Sequence, residues 1–137
     1  MNLYISFRSK TDGPYGRVSM WGHRTDHWSK VLAYRVKTSG NVVAPSTIQI
    51  TKEVGSNSVE LFRAYNNADK FDEVVIEAIG RSPSNPGAGE MVVERITLTN
   101  AVINSVWRSV SVLPTSTGKL VEDFGLLFEG YDRQTVS

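Results

Sequence analysis

Only one stretch of this chain, Asn57–Asn67, carries a helical period; on either side the sequence alternates like strand or turns like loop. Asn57 with Glu60 three residues on fits a capping box, in which each side chain satisfies a backbone N–H that the helix leaves open. Leu61, Phe62 and Tyr65 then fall on one face, with Ala64 and Ala68 beside them, and that face is predicted to pack on the wall of a sheet. Asn66-Asn67 is the predicted stop, because Asn tolerates the left-handed conformation common just past a helix end. A single helix of this length covers one sheet face or one barrel end and cannot supply the crossovers of a parallel sheet. The chain must therefore be mainly β.

The strand signals agree. Leu3, Ile5 and Phe7 alternate with polar neighbours, as on a half-buried strand. Trp28–Thr38 reads as one strand, with Leu32, Tyr34 and Val36 on one face. Ile48 and Ile50 open the next, and further strands are expected at Asp72–Gly80, Glu90–Asn100, Ala101–Val112 and Lys119–Tyr131, rich in Val, Ile, Thr and Phe. Asn100 marks either a kink between two ladders or a bend in one strand. Lys10–Asp26, with Asp12-Gly13-Pro14, reads as a long loop or an irregular hairpin, and Ser82–Gly89, with two Pro and two Gly, as a surface connection. The sum is about seven strands and one helix in a single domain, residues 1–137, hence a barrel or a sandwich.

Composition limits the function classes. Of the 137 residues 40% are hydrophobic, enough for one ordinary core. There is no cysteine, which removes disulfides, thiolate metal sites and cysteine nucleophiles. Net charge is +1, so no global field points to nucleic acid. The charge is uneven, however: residues 1–38 hold seven Lys/Arg against two acids, and 39–137 hold eight against twelve. That asymmetry reads either as a mixed solvated surface or as a basic and an acidic face that meet head to tail between identical subunits. The N-terminus has no basic region followed by a long apolar run, so a cleaved leader is not expected.

Catalytic patterns are sparse. His23-Arg24-Thr25-Asp26-His27 resembles a metal site, but no third histidine exists to complete the shell, and loop polar residues are the expected role. No serine sits in a Gly-x-Ser-x-Gly elbow. Asp72-Glu73 and Glu122-Asp123 are sequence neighbours on strands, so each pair points to opposite faces and cannot act as paired carboxylates. Neither Gly13-Pro14-Tyr15-Gly16 nor Pro86-Gly87-Ala88-Gly89 ends like a phosphate loop. No catalytic residue, metal or cofactor is expected.

Order and spacing carry a family resemblance. Ile48-Gln49-Ile50-Thr51-Lys52-Glu53, the short helix and Val74-Val75-Ile76-Glu77-Ala78 together resemble the middle of the Hcp family, the haemolysin-coregulated proteins of type VI secretion tubes. Met91–Ile103 is similar to that family's paired strands, and Glu122-Asp123-Phe124-Gly125-Leu126-Leu127-Phe128 with Tyr131 to its last strand. His27–Tyr34 matches an early element in part. The resemblance implies a small β-barrel of two packed sheets with the helix on its side, six copies in a ring and rings stacked into a hollow tube. It further implies a contractile sheath around the tube, a spike protein at its tip and effectors as cargo. It also implies synthesis in the cytoplasm and export by the machine itself, without a signal peptide, nucleic acid or membrane insertion. Tail tubes of contractile phages share that architecture and are the alternative. A monomeric β-barrel binding module is the alternative of another class.

Within the tube reading, Ser39, Gly40, Asn41, Val42 and Val43 form the candidate ring-stacking or subunit-interface loop, since an apolar pair at a polar loop tip needs a partner to cover it. Trp28 and Trp107 are expected as core or interface anchors. Ser105, Ser109 and Ser111 give the second face of the Ala101–Val112 strand a small polar surface.

Overall fold

The computed structural model describes residues 2–8, 29–37, 47–55, 58–82, 84–85, 87, 89–110 and 118–135. They form β1 (Asn2–Arg8), β2 (Ser29–Val31), β3 (Ala33–Lys37), β4 (Thr47–Glu53), α1 (Ser58–Asn67), β5 (Lys70–Arg81), β6 (Glu90–Val110), β7 (Leu120–Leu127) and β8 (Gly130–Thr135). All strand pairs are antiparallel, in the order β2-β1-β5-β6-β7-β4-β3, with β8 also on β6.

That order closes on itself. β2 lies on β1 at one end of the path and β3 lies on β4 at the other, yet only Leu32 separates β2 from β3. The segment 29–37, expected as one straight strand, bends at Leu32, whose N–H donates to the Thr51 carbonyl at 2.8 Å. The bend shifts the phase, so Val31 and then Tyr34 face the core where simple alternation would not bring both inward. One bent segment thereby joins the two sheet edges into a barrel and leaves less open edge to pair wrongly.

β6 is the spine. Its first half pairs with β5 on one side and β8 on the other, and its second half pairs with β7. The bend falls at Asn100, which holds φ at 51° within an unbroken strand. The core phase moves with it, from Ile96 and Leu98 to Ala101 and Ile103, and moves again to Val106 past an irregularity between Ile103 and Ser105. Opposite this bend the last predicted strand divides into β7 and β8, with the Glu129 N–H on the Thr99 carbonyl at 3.0 Å. The structure thus has eight strands among the described residues where about seven were expected.

Ile5 and Phe7 of β1, Ile48 and Ile50 of β4, Val74 and Ile76 of β5, and Phe124 and Leu126 of β7 fill the interior. Phe7 sits between Phe71 and Phe124, with ring centroids 4.9 and 5.7 Å away. Each such side chain contributes roughly 1.5–3 kcal/mol by leaving water.

Candidate functional site

α1 is anchored by a narrower face than its periodicity suggests. Leu61 and Ala64 are buried in the core, but Phe62 is 46% exposed and Tyr65 36%. The expected packing face of Leu61, Phe62 and Tyr65 is therefore corrected: Ser58, Leu61 and Ala64, three apart, line the buried side, and Phe62 and Tyr65 lie against each other at 6.3 Å on the outside. Asn57 and the Glu60 side chain, the two halves of the expected capping box, lie outside what is described. Ahead of the helix the Gly55 N–H donates to Ser58 Oγ at 2.9 Å, which fixes the entering turn. At the other end Ala68 takes the left-handed position, φ 54°, that the sequence suggested for Asn. Its N–H bonds the Tyr65 carbonyl and that of Asp69 bonds Ala64, the paired closure of a Schellman motif.

The loop candidates Ser39, Gly40, Asn41, Val42 and Val43, the His23–His27 cluster and Trp28 lie outside the described residues. Trp107 is described, and it is not a core residue. It is 72% exposed on the outer face of β6. Farther along the β6–β7 ladder Val110 stands directly opposite Leu120, and both are exposed. The ladder thus ends in apolar side chains that the chain's described residues leave open to solvent, Trp107 on one face and the Val110–Leu120 pair on the other.

Two polar clusters tie strands together, one buried and one at the surface. Glu122 points inward and Asp123 outward, as adjacent strand residues must; Asp123 accepts a hydrogen bond from Thr51 on the outside. Glu122, 3% exposed, lies opposite Lys52, 1% exposed, in the β4–β7 register, with Lys52 Nζ 2.6 Å from Glu122 Oε1. Ser58 Oγ donates to the same oxygen at 2.8 Å, and Arg108 Nε stands 3.8 Å from Oε2. Tyr34 of β3 donates to Glu94 Oε1 at 2.6 Å, and Arg133 of β8 holds Glu94 Oε2 at 3.1 Å. Burial first, then the hydrogen bond and charge of Glu94, push the Tyr34 hydroxyl up to about 12. A third pair, Arg95 with Glu77 at 2.7 Å, ties β6 to β5 directly across their ladder.

These charges meet as cation–carboxylate partners across strands, which serves register and closure. Among the described residues no three His, Cys, Asp or Glu converge as metal ligands. No helix there is long and apolar enough to cross a membrane. What the described surface offers is apolar side chains set on a rigid barrel, an arrangement suited to protein contact.

Comparison with known proteins places this architecture. Hcp1 from Salmonella typhimurium superposes with a TM-score of 0.68 at 13% identity, over 99% of this chain and 86% of that one. Secreted protein Hcp3 from Pseudomonas aeruginosa gives 0.68 at 13% identity, over 99% and 98%. A type VI secretion system effector from Yersinia pestis gives 0.64 at 12% identity, over 96% of each chain. No curated protein sequence matches the chain. The family model described as "Type VI secretion system effector, Hcp" matches residues 17–133. The chain belongs to the Hcp family.

Proposed function

We propose that this chain works by assembly, as a type VI secretion tube subunit that forms six-membered rings stacked into a hollow tube. The match of the Hcp family model across residues 17–133 carries the reading. It favours the secretion tube over the contractile-tail tube that the sequence pattern left open. The fold supports it, since a wall element needs stiff backbone, and β6 runs for 21 residues as a shared spine. Trp107, Val110 and Leu120 support it too, as large apolar side chains exposed on the isolated chain. Sheath, spike and effectors are the partners this function requires. The subunit is made in the cytoplasm and leaves through the machine it builds. No step of it asks for catalysis.

Light scattering after size-exclusion chromatography tests the reading, with electron micrographs of the same fractions. A mass six times the 15.2 kDa of the chain, with rings visible, is expected. A strict monomer at high concentration overturns it. Trp107→Ala is expected to weaken assembly while leaving the monomer's thermal midpoint nearly unchanged, because an exposed side chain contributes little to folding, about 0.5 kcal/mol or less.

A further inference from the structure

Glu122 joins α1 to the barrel through a buried polar contact, beside the apolar contact of Leu61 and Ala64 with the core. It continues the inward row of Leu126 and Phe124 along β7, where an apolar side chain would pack at least as favourably. Instead, one carboxylate oxygen receives Lys52 from β4 and Ser58 from the first turn of α1, and the other faces Arg108 of β6. The barrel walls do not depend on Ser58, since β4, β6 and β7 are joined by their own ladders. The helix depends on it more. Among its described side chains Ser58, Leu61 and Ala64 are buried, while Phe62, Arg63, Tyr65, Asn66 and Asn67 are exposed. A carboxylate at a helix N-terminus also opposes the positive end of the helix dipole. Ten residues do not hold a helix in water once they leave a protein surface.

We propose that α1 is a releasable clasp: Glu122, fixed inside the barrel by Lys52, holds the helix by its N-terminus through Ser58, and α1 opens as a unit while the barrel stays folded. Opening uncovers the buried Lys52–Glu122 pair, beside the already exposed Arg108, and the apolar surface under Leu61 and Ala64. The chain therefore has a second, barrel-intact state with a charged mouth where the helix was docked. The inference concerns the single chain and stands or falls apart from the tube reading.

Native-state hydrogen exchange of the full chain, read by mass spectrometry, tests it. The α1 amides are expected to exchange at least about tenfold faster than those of β5 and β6. Ser58→Ala should raise α1 exchange by about tenfold more, the effect of one hydrogen bond to a charged group, with strand exchange unchanged. Ser58→Thr, which keeps the hydroxyl, should stay near wild type. Equal protection of α1 and the central strands in the wild type would overturn the proposal. So would a Ser58→Ala variant in which helix and strands accelerate together, since both results mean one cooperative unit.

Discussion

Tyr34 and Glu94, 60 residues apart in sequence, share a 2.6 Å hydrogen bond that ties the bent closing segment to the spine strand. The folded chain holds the Tyr34 proton more tightly than the unfolded chain does, about 12 against 10.0. The resulting contribution is fully present below pH 10 and is lost as pH rises through about 12. Stability should therefore fall across that window, and Tyr34→Phe should flatten that part of the curve. At neutral pH the variant should lose about 1–2 kcal/mol. Ultraviolet titration should show one of the five tyrosines ionising well above an ordinary phenol. A wild type and variant with parallel alkaline curves would refute the assignment.

Removing Glu122 leaves Lys52 buried without its counter-ion, and removing Lys52 leaves Glu122 only the more distant, half-exposed Arg108. Lys52→Ala and Glu122→Ala should each cost about 3–5 kcal/mol, visible as a lower denaturant midpoint. The double change Lys52→Met with Glu122→Leu should recover most of that loss, because the pair's own net worth is small once both charges are gone. A double variant as unstable as the singles would show that the site needs its charges.

Ala68 holds a backbone conformation that a side chain resists, φ 54° at the end of α1. Ala68→Gly removes the clash at Cβ and should raise stability by about 1 kcal/mol, less the added freedom of the unfolded chain. Thermal unfolding measures it, and a lowered midpoint would contradict the geometry.

Gly125 lies where β7 passes between β4 and β6. A Cβ there would meet Asn104 Oδ1 at 2.6 Å, Ser105 Oγ at 2.7 Å and Gln49 Nε2 at 3.2 Å. Gly125→Ala should cost about 1–3 kcal/mol through overpacking. Adding Ser105→Ala should return part of it, and an unchanged midpoint for the single variant would mean that both side chains swing clear.

The local pattern was enough for most elements and for the fold class. Ile5, Phe7, Ile48 and Ile50 point inward as their alternation requires, and the helix lies within a residue of its expected bounds. The discrepancies arise where a distant neighbour decides. Phe62 and Tyr65 satisfy the helical period, yet β6 meets the helix along Leu61 and Ala64 instead. Leu32 and Asn100 bend their strands to close a barrel whose other edge is far away in sequence. Lys52 and Glu122 would each be placed in water on composition alone. Each is buried because the other stands across the ladder, and no local window contains both.

Closure by the segment 29–37 also dictates when the fold can form during synthesis. β1 can pair early only with the short β2 and β4 only with β3; their other edges wait for β5 and for residues 121–127. Every local hairpin that forms earlier has an unpaired rim. Pairing across such sequence distances is slow, because loop entropy is lost before contacts compensate it. A growing chain of this topology therefore presents sticky strand edges until nearly all of it has emerged, and its yield in a cell should respond to chaperone supply and expression temperature more than its final stability suggests.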